Sequence, residues 1–143
     1  MQLIEDSSSY RKLLKEYKHE SATVHLENLV GGALSLYSAA LVRRAGGVHI
    51  FVAEDRDSAA YMLNDFYALL DEERVHFFPT SYKRSILYGR EDAQGVVQRT
   101  NTLNALRHHS KGYTVVCTYP EAIAERVADE SALSERSIRL RVG

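Results

Sequence analysis

Val48-His49-Ile50-Phe51-Val52-Ala53 decides the fold. It is a short, nearly continuous apolar run. A strand with one wet face alternates, whereas a strand covered on both faces, as in a parallel sheet, reads as an unbroken run. Two more runs have this character: Val75-His76-Phe77-Phe78, closed by Pro79, and Tyr113-Thr114-Val115-Val116-Cys117. The stretches between them carry helical spacing. Ala59, Met62, Leu63, Phe66, Leu69 and Leu70 form one stripe, and Val96, Thr100, Leu103 and Leu106 another. Strands alternating with helices predict an α/β fold of three layers, a mostly parallel sheet flanked by helices with right-handed crossovers.

Upstream, Leu34, Tyr37 and Leu41 predict a helix from Ala33 to Arg44, stopped by Gly46-Gly47, where glycine readily takes the left-handed cap conformation. Thr23 to Leu29 is β-prone and partly alternating, so a strand is expected there, broken by Gly31-Gly32. Ser7-Ser8-Ser9 opens a helix through Tyr10, Leu13, Leu14 and Tyr17, since serine oxygens accept from the free N–H groups of a first turn. Residues 1–20 read as a helical extension and 21–143 as the α/β domain. Downstream, Thr118-Tyr119-Pro120-Glu121 has the spacing of a capping box with proline in the first turn, leading into a helix through Ala122, Ile123 and Val127. Ile138, Leu140 and Val142 alternate with Arg139 and Arg141, which predicts a last strand with one polar face. The stop at Gly143, straight after that strand, reads as a piece of a longer, multidomain protein.

The 143 residues suit one domain, with 45% apolar and 26% charged residues, the balance of an average globular protein. The formal net charge is −1, so nucleic-acid binding would need a local basic patch. A single cysteine, Cys117, rules out an internal disulfide and suggests a reducing compartment. With no long apolar run and no basic start before one, neither a membrane partner nor a signal peptide is expected, and the cytoplasm is the expected location.

Ligands of open α/β sheets sit at the carboxyl ends of strands. The loop Asn28-Leu29-Val30-Gly31-Gly32-Ala33-Leu34-Ser35 lies in the turn where a phosphate loop, G-x-x-x-x-G-K-[ST], would stand. Glycines there let backbone N–H groups wrap phosphates, lysine neutralises the β and γ oxygens, and the hydroxyl holds Mg²⁺. Here Asn28 replaces the first glycine, Ala33 the second and Leu34 the lysine; only Ser35 keeps its type. On spacing alone the loop reads as a plain glycine-containing turn, with a degenerate phosphate loop as the alternative, and no cofactor or metal is expected in the domain.

Other residues have plainer readings. Asp71-Glu72-Glu73-Arg74 precedes a strand, the wrong end for an Mg²⁺-holding acid pair, and reads as a solvated helix terminus. Glu54-Asp55 follows a strand and reads as the cap of the next helix. Cys117 lies in an apolar run and reads as a buried thiol. His108-His109, with Arg107 and Lys111, form a basic helix end. Tyr82, Lys83, Arg84, Tyr88 and Arg90 make a basic, aromatic loop, a candidate partner or nucleic-acid surface. No residue is singled out as catalytic.

From about Leu26 onward, several segments in order resemble the N-terminal domain of bacterial transcription-repair coupling factors. These are the loop from Asn28 to Ser35, Phe78-Pro79 followed by a loop with Tyr88, Glu91-Asp92 through Gln98-Arg99 with Leu103-Asn104-Ala105-Leu106, and Tyr113 to Ile123. Thr80-Ser81-Tyr82 stands where that family usually has Trp-Glu. The family's N-terminal region is similar to UvrB, the damage-loading subunit of nucleotide excision repair, with its ATPase motifs lost. The resemblance implies a P-loop NTPase fold of the RecA or helicase kind with a degenerate nucleotide loop at Asn28, Gly31, Gly32, Ala33, Leu34 and Ser35, serving as a non-catalytic UvrB-like scaffold. Its parent would be an ATP-dependent DNA translocase that removes stalled RNA polymerase and recruits UvrA, with ATP and Mg²⁺ in a separate motor. Contacts to UvrA, polymerase and DNA would run through that parent, and the domain's own partners would be the parent's other domains. Two alternatives stand beside it: a helicase fragment that still binds nucleotide in its parent, and a stand-alone flavodoxin-like signalling domain with Asp55 as phosphoacceptor.

Overall fold

A computed structural model describes residues 2–19, 21–82 and 92–127. At its centre lies β3 (Tyr113–Thr118), with all six residues buried. β1 (Gly47–Val52) and β2 (Val75–Phe77) flank it, both parallel to it, giving the order β1-β3-β2. The described chain is thus a small, open, all-parallel sheet flanked by helices, as the apolar runs predict. Phe51, Cys117 and Phe77 stand in register, as do Ile50, Val116 and His76. Residues in register share a face, and neighbours along a strand face opposite ways.

One face is packed by α3 (Ala33–Ala45) and α4 (Arg56–Leu69). Ala39, Val42, Ala59, Leu63 and Phe66 meet Val75, Phe77, Val115 and Cys117 there in one apolar core. Phe51 packs its ring 4.7 Å from that of Phe66. Burying side chains of this kind contributes roughly 1.5–3 kcal/mol each. Cys117 is fully buried, and desolvation pushes its thiol up to about 12, so it is an inert core residue as its strand position suggests.

The other face belongs to α5 (Ala93–Arg107). Its buried residues are Gly95, Arg99 and Thr102, a polar stripe, and not the Val96–Leu106 stripe the sequence suggests; Val96 and Val97 are exposed. Thr102 donates its hydroxyl to the Phe77 carbonyl at 2.9 Å, which joins the helix to the sheet by a hydrogen bond.

Two short N-terminal helices, α1 (Gln2–Glu5) and α2 (Ser8–Tyr17), dock on α3. Ser7 caps α2 by accepting from the Tyr10 N–H at 3.1 Å. Buried Tyr10 then donates its hydroxyl to the Ala40 carbonyl at 3.0 Å.

Two local expectations change. Thr23 to Leu29 is not a strand: Val24 and Leu26 are exposed, so the alternation has no buried face to gain from. Asn28 at φ 62° turns the chain out of extended geometry. Thr118 does not cap the next helix, α6 (Pro120–Ala124), whose cap position is Tyr119. Thr118 closes β3 and donates its hydroxyl to the Phe78 carbonyl at 2.8 Å. Pro120 does open α6, as predicted. The strand expected at 138–142 lies outside the described residues, as do residues 83–91. No helix among the described residues is long and apolar enough to cross a membrane.

Candidate functional site at the carboxyl ends of the strands

The sheet ladder ends with the Ala53 N–H donating to the Thr118 carbonyl and the Phe78 N–H to the Cys117 carbonyl, each at 2.9 Å. Beyond those bonds the three chains diverge and leave a cleft of about 280 Å³. Asp55, Arg56 and Asp57 enter it from the start of α4, Thr80 and Tyr82 from the loop after β2, and Tyr119 and Glu121 from the turn after β3. Such a position, outside the carboxyl ends of parallel strands, is where open α/β sheets bind ligands.

The cleft wall is held by its own hydrogen bonds. The buried Tyr119 hydroxyl accepts from the Thr80 N–H at 3.0 Å and lies 3.1 Å from the Thr80 hydroxyl. Arg56 reaches buried Asp92 at 3.8 Å, and the Asp92 N–H donates to the Ser81 carbonyl. Behind the wall, Arg99 donates to the carbonyls of Pro79 at 2.8 Å, Ala122 at 3.0 Å and Glu125 at 3.3 Å. Its guanidinium also lies 4.1 Å from the Phe78 ring centroid and 3.7 Å from the Glu125 carboxylate. The Glu125 carboxylate accepts from the Ser81 N–H. One buried arginine therefore fixes the loop after β2 to the segment after β3. Sequence reading missed it, because a polar helix position gains its meaning from carbonyls that only the tertiary fold supplies.

Asp55 is the cap of α4, as its position after β1 suggests. Its carboxylate accepts from the Ser58 N–H at 2.7 Å, and that bond holds it below the usual carboxylate range. Among the described residues no three His, Cys, Asp or Glu side chains gather to hold a metal ion. Among the described residues no histidine or cysteine lines the cleft.

The expected phosphate loop lies elsewhere. Asn28, Gly31 and Gly32 sit in turn and coil, while Ala33, Leu34 and Ser35 form the first turn of α3. No strand feeds this loop among the described residues. The Ser35 hydroxyl, already buried, donates to the Asp65 carboxylate at 2.5 Å. Asp65 stands about 15 Å along α4 from Asp55 at 1.5 Å per residue, so the loop and the cleft are separate places. Leu34 is partly exposed, with no cation in the lysine's place.

Of the basic, aromatic loop, Tyr82 is described and lines the cleft; Lys83, Arg84, Tyr88 and Arg90 lie outside the described residues. The acidic run after α4 is exposed at Asp71, Glu72 and Glu73 alike, and Asp71 also accepts from the Tyr113 hydroxyl at 2.9 Å. His108 and His109 are spent locally, on the Asn104 carbonyl and the Thr114 hydroxyl. Comparison of the chain with family models, curated proteins and solved structures finds no match.

Proposed function

We propose that the chain is a non-catalytic UvrB-like scaffold domain of a transcription-repair coupling factor, a P-loop-type fold whose nucleotide loop has decayed. In this reading the parent translocase removes stalled RNA polymerase and recruits UvrA, and its separate motor carries ATP and Mg²⁺. The observation that supports it most is the state of Ser35. In a working phosphate loop that hydroxyl holds Mg²⁺, whereas here it is bonded to a carboxylate. A carboxylate beside the loop repels the phosphates that a missing lysine would have neutralised. The segment resemblance from Leu26 onward supplies the repair context.

Titration with a fluorescent ATP analogue and a turnover assay test the non-catalytic part. No saturable binding at millimolar nucleotide and no turnover are expected. Hydrolysis that Ser35→Ala abolishes would overturn it. The repair part is tested by deleting this domain from its parent: loss of preferential repair of transcribed strands is expected, and unchanged strand preference counts against the scaffold role. The signalling alternative is disfavoured, because the Asp55 carboxylate is occupied as a helix cap.

A further inference from the structure

The amino ends of the strands border a second cleft, of about 340 Å³, at the opposite end of the sheet from the one above. Three separate segments line it. Arg74 and His76 come from the start of β2, His108 and His109 from the end of α5, and Lys111 from the turn before β3. His76 stands in register with Val116, on the face that α5 covers. Glu73 is the carboxylate among these lining residues, and Asp71 lies 3.8 Å from Arg74. Facing them are two cations and three imidazoles.

These groups have donors to spare. Arg74 donates to the carbonyls of Lys111 at 3.1 Å and Tyr113 at 3.2 Å, which pins the turn. The Lys111 ammonium itself has no partner among the described residues, and the half-buried ring of His76 makes no hydrogen bond among them. His108 and His109 use only Nδ1 locally, 2.8 Å from the Asn104 carbonyl and 2.9 Å from the Thr114 hydroxyl. Each Nε2 is left without a partner among the described residues. An anion with several acceptor oxygens satisfies such groups together, and bonds to charged groups are the stronger kind. The carboxyl end of α5 opposes an anion, but His108 already occupies the Asn104 carbonyl there. Basic groups set round one opening suit a compact dianion. A nucleic-acid strand needs a charged track along its backbone, and a chain of net charge −1 exerts no long-range pull on one.

We propose that the cleft formed by Arg74, His76, His108, His109 and Lys111 binds the dianionic phosphate of a small phosphorylated ligand. The site is separate from the loop at Ser35 and does not depend on the repair reading. An anion favours the imidazolium form, so binding tightens as the rings take up protons. The charged groups facing those rings are Glu73, Arg74 and Lys111, with Asp71 beside Arg74. NMR of the histidine rings in the full chain, during titration with inorganic phosphate at constant ionic strength, tests the proposal. Saturable shifts at His76, His108 and His109 are expected at about millimolar phosphate, with His19, His25 and His49 unmoved. Sulfate, whose charge stays fixed, is expected to bind about fivefold or more tighter at about pH 6 than at about pH 8. Lys111→Ala, at an exposed position, is expected to weaken phosphate about three- to fivefold, and unchanged His49 signals show that the fold is kept. Shifts that grow without saturating, or that reach all the histidines alike, are an ionic-strength effect and overturn the proposal. So does binding that Lys111→Ala and His76→Asn both leave unchanged. A short DNA strand without terminal phosphates that moves the same rings at lower concentration than phosphate assigns the cleft to a nucleic-acid backbone, which also overturns it.

Discussion

At the scale of single residues, Arg99 has the largest share in shaping the cleft. It is 6% exposed, yet its charge is balanced by Glu125 and by three carbonyls on two separate segments. Replacing it with leucine keeps most of the bulk but takes this donor from the three carbonyls and leaves the Glu125 carboxylate with its bond from the Ser81 N–H and no cation beside it. Breaking a buried, hydrogen-bonded charge pair from one side costs about 3 kcal/mol or more. Arg99→Leu is accordingly expected to lower the unfolding free energy by that order, read as a lower urea midpoint with an unchanged m-value. Arg99→Lys is expected to recover little, because one ammonium cannot replace a planar fork that reaches carbonyls on both segments. Full recovery by lysine would show that charge alone matters at this position.

At the scale of elements, α5 depends on a glycine for its closeness to the sheet's carboxyl end. A Cβ on Gly95 would stand 2.5 Å from the Thr80 carbonyl oxygen, a backbone atom in a segment held by the Thr80 N–H bond to the Tyr119 hydroxyl and by the Arg99 bond to the Pro79 carbonyl. Alanine favours a helix by about 1 kcal/mol over glycine, but overpacking of this kind costs about 1–3 kcal/mol. Gly95→Ala is expected to lose stability despite its better helix propensity, with a thermal midpoint several degrees lower and changed exchange at Thr80 and Ser81. A gain in stability would mean that α5 can withdraw from the loop. The sheet's legibility follows from the same physics. Tyr113 to Cys117 is a continuous apolar run because both of its faces are buried, and burial leaves a compositional trace; Val48 to Ala53 is as continuous, yet Val48, Ile50 and Val52 are exposed, so the cover on both faces that its run predicts is not met among the described residues. Asp55 was legible because capping needs nothing beyond its own helix. Thr118 was not: a threonine three residues before a glutamate reads the same whether its hydroxyl meets a helix N–H or, as here, the Phe78 carbonyl across the sheet. The face that α5 turns inward was illegible for a similar reason. Arg99 and Thr102 are buried against carbonyls of distant segments and Gly95 against the Thr80 backbone, and hydrophobic spacing cannot register them. Thr23 to Leu29 shows the converse, a β-prone pattern that no layer of the fold covers.

At the scale of the whole molecule, two histidines, buried His49 and half-buried His76, tie folding to pH. His49 in β1 is 6% exposed. Its Nε2 lies 2.7 Å from the Gly46 carbonyl, which can only accept, so Nε2 carries the proton. Nδ1, 2.9 Å away, then accepts from the Tyr17 hydroxyl, and the two rings stack. Protonating Nδ1 would set two donors face to face and turn the Tyr17 hydroxyl away. Desolvation lowers the His49 pKa, against a smaller opposing effect of the Gly46 bond, and desolvation also lowers that of His76 in β2. Each histidine therefore has a folded pKa below its unfolded value of about 6.5. As pH falls through 6.5 the unfolded chain binds protons that the folded chain refuses, so stability declines until pH reaches the folded values. The urea midpoint is expected to be level above about pH 7.5 and to fall between pH 7 and 5.5, the window set by these downward shifts. His49→Gln, which does not titrate and can still donate to Gly46, is expected to flatten that decline, and a second change, His76→Asn, to flatten it further. A midpoint that stays constant or rises as pH drops from 7 to 5.5 would show that both rings take up protons as readily in the folded chain as in the unfolded one.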